Sequence, residues 1–304
     1  MEADGMNEIK VNMGRKISVE NAQRIGHGFF SDVYRIDPET VVKVLNNGTV
    51  QDAEREILLS KWALQNGIPT AISYDVADVD GHPGLVYELL GRGSLKDQLL
   101  DHPEDFDRRM RQYAALLHCI HAGTDTEGRL PKACDRYKTK IDSYPGLTQE
   151  ERQRLRMLLD TIPDTDHVVH CDCHFKNIKV VKNELMLIDL DTLSRGDPIY
   201  DLLAVRSSYQ TFNEARNATG TDPFFDLPVD YEKRVLDTLL CYYFEGLSEK
   251  QITENLKKIR LLSYWDVLRF IDDYSGETQY DQPGMLRRFR QSLGEVNDLR
   301  LIYR

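Results

Sequence analysis

Apolar runs broken by glycine dominate the first third of the chain, and apolar residues at helical spacing dominate the rest. A polar start over 1–17 leads into a first strand, then Gly26-His27-Gly28-Phe29-Phe30-Ser31, a further strand, the Asp37-Pro38 turn and the run Thr40-Val41-Val42-Lys43-Val44-Leu45. This order predicts strand, glycine turn, strand, turn, strand. Leu58, Leu59, Trp62 and Ala63 then fall on one helical face that stops before Gly67-Ile68-Pro69. Gly84 to Leu90 reads as another strand, and Gly91 and Gly93 mark a domain boundary at 90–93.

Beyond that boundary a helix starts at Ser94, and 106–121 forms a longer one with Met110, Tyr113, Leu117 and Ile120 on one face. His118 and His121 are expected to pack or cap near its end, which favours cations. Residues 123–147 read as loop with one short helix, and 148–159 as a helix whose Arg152, Arg154 and Arg156 form a solvated face. Short strands are predicted at 168–169, 178–181 and 185–190, with Lys182-Asn183-Glu184 as a polar turn. Asp201 opens an apolar helix, 207–228 reads as irregular, and helices follow over 231–244, 248–274 and 283–299, the second started by a Ser248–Gln251 capping box. Tyr242, Tyr243 and Trp265 with Asp266, Asp272 and Asp273 offer ring faces and carboxylates for a cation, but such an aromatic set more often packs helices, and core is the expectation.

Composition narrows the class. With 304 residues, 41% hydrophobic and 29% charged, the chain has the make-up of a soluble globular protein with ample core. Its net charge of −11 argues against nucleic-acid or anionic-membrane partners and suits a cationic small molecule. Five cysteines without a disulfide-like framework suit a reducing compartment. The acidic N-terminus lacks the apolar core of a secretion signal, so a cytoplasmic location is expected. Oligomeric state is not legible.

Candidate chemistry concentrates in 168–201. Asp172, Asn177 and Asp189 offer oxygens from a loop and strand end that could aim them at one point, and hard cations such as Mg²⁺ take such ligands together with phosphate oxygens. His170, Cys171, Cys173 and His174 invite a zinc reading, but no second ligand pair follows, and in an extended segment the cysteines face away from the histidines. Gly26-x-Gly28-x-x-Ser31 would let backbone N–H groups approach phosphate oxygens. A strand, not a helix, follows it, which excludes a Rossmann fingerprint. Lys43 within its apolar run needs a partner if buried.

His170-x-Asp172-x4-Asn177, Ile188-Asp189-Leu190-Asp191 and Gly196-Asp197-Pro198-x-Tyr200-Asp201 resemble the catalytic segment of the aminoglycoside phosphotransferase and choline kinase-like families. Cys171 departs from the family's usual glycine, and Leu190-Asp191 from the Phe-Gly of protein kinases. The resemblance implies an α+β, two-lobed protein kinase-like fold, with a small antiparallel sheet lobe at 1–91 that binds nucleotide and a mainly helical lobe at 92–304 that carries catalysis and acceptor. It implies ATP and Mg²⁺ as cofactors, Asp172 as catalytic base, and Asn177 and Asp189 as metal ligands. It makes His170, Asp197 and Asp201 structural supports of the loop, and pairs Lys43 with Glu56 on the first helix. Gly26, Gly28 and Ser31 then cover phosphates, and Glu88 to Leu90 form the adenine-facing hinge. Only seven residues separate Asp189 from Gly196, too few to dock a polypeptide, so the acceptor is expected to be a small hydroxyl compound. Two other readings stand beside this one: a catalytically silent nucleotide-binding module of the same fold, and a nucleotide-sugar transferase using Asp189-Leu190-Asp191.

Overall fold

The computed structural model describes residues 15–28, 30–91, 93–273 and 280–303. The polar start at 1–14, Phe29 of the glycine turn, Arg92 of the expected boundary and Tyr274 at the expected helix end lie outside them. The chain divides into two compact units, residues 1–92 with 186–191, and residues 93–185 with 192–304.

The first unit contains β1 (Lys16–Ile17), β2 (Gln23–His27), β3 (Ser31–Arg35), β4 (Thr40–Leu45), α1 (Val50–Gln65), β5 (Ser73–Val79) and β6 (His82–Glu88). They form one six-stranded sheet in the order β1-β5-β6-β4-β3-β2. The sheet is mixed, not antiparallel throughout: β1 pairs with β5 in parallel. No hairpin ties β1 to its partner, so nothing imposes on it the antiparallel direction that tight turns give the β2–β3, β3–β4 and β5–β6 pairs.

Alternation sorts the side chains of β4. Val42 and Val44 face one side with Ala77, Val79 and Val86, and Leu45 faces the other with Ala53 and Ile57 of α1 and Val76 and Leu85. Residues two apart share a face, so Lys43 projects on the helix side. Thr49 starts α1 through a reciprocal capping bond with Asp52. Ala53, Glu56, Ile57, Ser60 and Ala63 are the buried stripe of that helix, which carries Glu56 inward.

The remaining chain runs α2 (Leu95–Asp101), α3 (Phe106–Ala122), α4 (Ala133–Lys138), α5 (Gln149–Leu159), β7 (Val168–Val169), β8 (Ile178–Val181), β9 (Glu184–Leu187), β10 (Ser194–Arg195), α6 (Ile199–Arg206), α7 (Phe212–Arg216), β11 (Thr221–Asp222), β12 (Leu227–Pro228), α8 (Val229–Tyr243), α9 (Glu249–Asp273) and α10 (Gln282–Glu295). Lys182 and Asn183 between β8 and β9 both take positive φ, 49° and 73°, as a type I′ turn requires.

Four expectations need correction. β9 stops at Leu187, three residues early, before Asp189 turns to φ 63°. The 207–228 segment is not irregular throughout, because a π-helical turn over Ser207–Thr211 carries α6 into α7. α10 ends at Glu295: the Val296 carbonyl accepts from Arg154 (2.7 Å) and the Leu299 amide donates to Thr161 Oγ1 (2.8 Å), which hold the tail extended. The α5 arginines are a solvated face only in part: Arg152 and Arg154 are half-buried and donate to the Tyr144 and Val296 carbonyls, while Arg156 pairs with Asp142 at the surface. Trp265 is core as expected, fully buried with its Nε1 donating to the Tyr137 carbonyl. No helix among the described residues is long and apolar enough to cross a membrane.

Candidate active site

In the first unit three site residues meet. Lys43 Nζ lies 2.9 Å from both oxygens of Glu56 and 2.5 Å from Asp189 Oδ1. Tyr87 donates its hydroxyl to Glu56 Oε1 at 2.9 Å, fixing the carboxylate from the sheet side. Burial opposes the Lys43 ammonium, yet the charges of Asp189, Glu56 and Asp191 outweigh it and hold its pKa above the ordinary value. Glu56 is pushed up to about 7, first by burial, against the pull of Lys43 and with the charges of Asp189 and Asp191 adding to the rise. One ammonium among three carboxylates leaves this corner with excess negative charge.

Gly26 lies in β2, Gly28 in the β2–β3 connection and Ser31 at the start of β3. A Cβ on Gly26 would come within 3.2 Å of Val33 Cβ, and the Gly28 amide donates to the Ser31 carbonyl at 2.8 Å. Glu88 and Leu90 close β6: the Glu88 carboxylate accepts from the Ile72 amide (2.7 Å), while the Glu88 and Leu89 amides donate to the Ile72 and Glu39 carbonyls.

In the second unit the loop after β7 gathers His170, Asp172, Asn177 and Asp201. Asn177 Nδ2 donates to the Asp172 carbonyl (3.0 Å) and to its Oδ2 (2.9 Å), so the amide oxygen of Asn177 is turned the other way. The Asp172 amide donates to His170 Nδ1 at 3.2 Å, and His174 Nε2 stands 3.5 Å from Asp172 Oδ1. Asp172 keeps 40% of its side chain exposed, enough for a reactant to reach.

Asp201, fully buried at the start of α6, accepts from two consecutive amides, His170 (3.0 Å) and Cys171 (2.5 Å). Cys171 itself is held at φ 64°, a backbone that favours glycine. Asp197 does not join this group. It accepts from the Ile199 amide and the Tyr303 hydroxyl, and burial raises its pKa.

Cys171 and Cys173 are buried and lie in no set of three or more His, Cys, Asp or Glu residues arranged around a metal among the described residues, which removes the thiolate reading. Four supporting residues were not assigned to the site from the sequence. Tyr87 buttresses Glu56, Tyr209 accepts from the Phe175 amide, Thr192 donates to the His170 carbonyl, and His121 reaches Asp201.

Viomycin phosphotransferase of Streptomyces vinaceus is 30% identical over 148 residues, covering 43% of this chain and about half, 52%, of the relative's own length. Among solved structures, the gentamicin complex of APH(2'')-IIa superposes with a TM-score of 0.57 at 16% identity, covering 92% of this chain and 93% of that one. A choline/ethanolamine kinase family protein from Mesorhizobium loti gives 0.57 at 12% identity, covering 91% and 89%. These likenesses show a shared kinase-like fold. The profile of the phosphotransferase enzyme family matches residues 21–227, more than half of the chain, and this protein belongs to that family.

Proposed function

We propose that this protein is a small-molecule kinase that transfers the γ-phosphoryl group of ATP, with Mg²⁺, to a hydroxyl of a cationic acceptor. The observation that carries the reading is the Lys43 ammonium held by Glu56 and Asp189. Phosphoryl transfer asks little covalent chemistry of a protein and depends on placed charge and orientation. Lys43 takes the α- and β-phosphate oxygens, and the Gly26, Gly28 and Ser31 backbone, with no bulky side chain in the way at the glycines, covers the triphosphate. Asp172 orients the acceptor hydroxyl and receives its proton, while His170 and Asp201 hold the backbone around it and Asp197 supports the neighbouring start of α6 through the Ile199 amide.

Asp189 and Asn177 carry the hard oxygen donors that would hold a magnesium ion, and the negative excess around Lys43 would favour it. Mg²⁺, when bound, neutralises the charge that develops on the transferring group. At the hinge, Glu88 and Leu89 already donate their amides within the sheet, so Leu90 supplies the amide that meets the base. In this reading residues 1–91 bind nucleotide and residues 92–304 hold the catalytic loop and the acceptor.

A cationic acceptor is supported by the net charge of −11 and by relatives described with gentamicin and viomycin. The test is ADP release from Mg·ATP with gentamicin, streptomycin, viomycin, choline and homoserine as acceptors. Release that depends on at least one of them is expected. No acceptor-dependent release together with no binding of Mg·ATP in calorimetry rejects the proposal.

A further inference from the structure

Arg136 stands on α4 with its side chain exposed, and nothing assigned to the site so far uses it. The backbone that carries it is fixed from several elements. Arg269 of α9 donates to the Arg136 carbonyl, Trp265 Nε1 donates to the Tyr137 carbonyl at 2.9 Å, and the Tyr137 ring stacks on Tyr200 of α6 with centroids 5.2 Å apart. Just before the helix, Lys132 bridges to Arg195 of β10, and β10 pairs with β7, the strand that leads into His170 and Asp172. One strand thus separates the start of α4 from the strand that feeds the catalytic loop.

What is tied down on Arg136 is its carbonyl. The guanidinium donates no hydrogen bond and closes no ion pair among the described residues. Burial opposes its charge, and Tyr137, Asp266, Cys171 and Asp172, in that order, outweigh the burial and hold its pKa above the ordinary arginine value. Two of these four are carboxylates. Asp266 gives Oδ1 to Arg269 at 3.1 Å, whereas Asp172 keeps 40% of its side chain exposed. A side chain that feels its burial and is still exposed projects into an open recess, here one that also holds the charge of the candidate base.

Arginine keeps its charge at any ordinary pH and presents its donors in a planar fork that matches a carboxylate or phosphate with two parallel bonds. An acceptor bearing only positive groups would be drawn by Asp172 and opposed by Arg136. An acceptor that also carries an oxyanion gains from both.

We propose that Arg136 is a specificity-determining residue that binds a carboxylate or phosphate group of the acceptor while the acceptor's hydroxyl meets Asp172. The inference rests on the reading of Asp172 as the base, and it narrows the cationic acceptor to a zwitterionic hydroxy compound. An arginine that merely solvated the surface would be indifferent to the acceptor. One that served the transferring phosphoryl group would change kcat with every acceptor alike.

The experiment measures ADP release from Mg·ATP with three matched pairs: L-homoserine and its carboxamide, L-serine and its carboxamide, and glucosamine 6-phosphate and glucosamine. Each pair shares an amine and a hydroxyl and differs in the oxyanion. For the parent, the oxyanion-bearing member of at least one pair is expected to be preferred by about tenfold or more in kcat/KM, the worth of a charge-assisted hydrogen bond. Arg136→Gln is expected to raise the KM of that member by roughly 10–100-fold, with kcat within about threefold and nucleotide KM within about twofold, and to leave its uncharged partner unchanged. Arg136→Lys, which keeps the charge and loses the fork, is expected to recover part of the loss.

No release with any of the three oxyanion-bearing compounds overturns the proposal, as does a parent that prefers gentamicin or choline to all of them. An Arg136→Gln form that changes nothing, or that lowers kcat equally for both members of a pair, overturns it too. The parent's preference within the pairs decides the matter even where a variant fails to fold. Full activity of Asp172→Asn instead removes the base assignment, and absence of Mg·ATP binding together with absence of release from every compound rejects the kinase reading itself.

Discussion

At Asp172 the Asn177 amide donates to Oδ2 and the His174 ring stands 3.5 Å from Oδ1 of a carboxylate whose side chain is 40% exposed. Replacing it with Asn keeps the shape and removes the base. Asp172→Asn is expected to lower turnover by roughly 10²–10⁴-fold while Mg·ATP still binds, as calorimetry on the same sample would show. Asp189 presents the other side of the chemistry. Asp189→Ala should abolish Mg²⁺-dependent nucleotide binding, and an affinity unchanged by the substitution would take Asp189 out of the metal site. Cys171 shows how a residue can depart from a pattern while its backbone keeps it. The related families usually place glycine there, and the φ of 64° is the conformation glycine tolerates best. Two buried bonds to Asp201, on the neighbouring amide and its own, secure that backbone without the glycine.

Among the elements, α1 is the one whose placement matters most for Lys43, because its buried stripe carries Glu56. Thr49→Ala removes a reciprocal cap and should destabilise the protein by about 1 kcal/mol, read as a lowered Tm with Glu56 otherwise intact. Elements of this kind were legible in the chain. Val42, Lys43 and Val44 alternate, Leu58 to Ala63 keep helical spacing, and the β8–β9 turn announces itself in Lys182-Asn183. What escaped was set by contacts from far along the sequence. The π-helical turn at Ser207–Thr211 buries Tyr209, whose hydroxyl accepts from the Phe175 amide, and the early end of α10 is set by Arg154 and Thr161. For the same reason His121 and Tyr87 could not be found by spacing, since the first meets a partner 80 residues away and the second one 31 away. The parallel entry of β1 beside β5 has the same origin.

For the molecule as a whole, pH should act through a buried acid outside the candidate site. Glu232 is fully buried on α8 and bonded by Asn213. Burial, and then the charge of Asp222, push its pKa up from 4.5 to about 8. A group whose pKa is raised on folding binds its proton more tightly in the folded state, so its contribution is complete below about 4.5 and is lost as pH rises through about 8. Thermal melts should give a Tm that falls between about pH 5 and 8, and Glu232→Gln should flatten that slope. A variant as pH-sensitive as the parent would place the titration elsewhere.

The division of the chain also sets a timetable for synthesis. Residues 186–191 complete the first compact unit, and Lys43 meets Asp189 only across 146 intervening positions. At a ribosomal pace of about 5–20 residues per second, the nascent lysine waits roughly 7–30 s for its second carboxylate, with Glu56 as its sole early companion of the two. An N-terminal fragment released by a protease near residue 92 would thus carry the strands and α1 yet lack the acid that finishes the Lys43 corner.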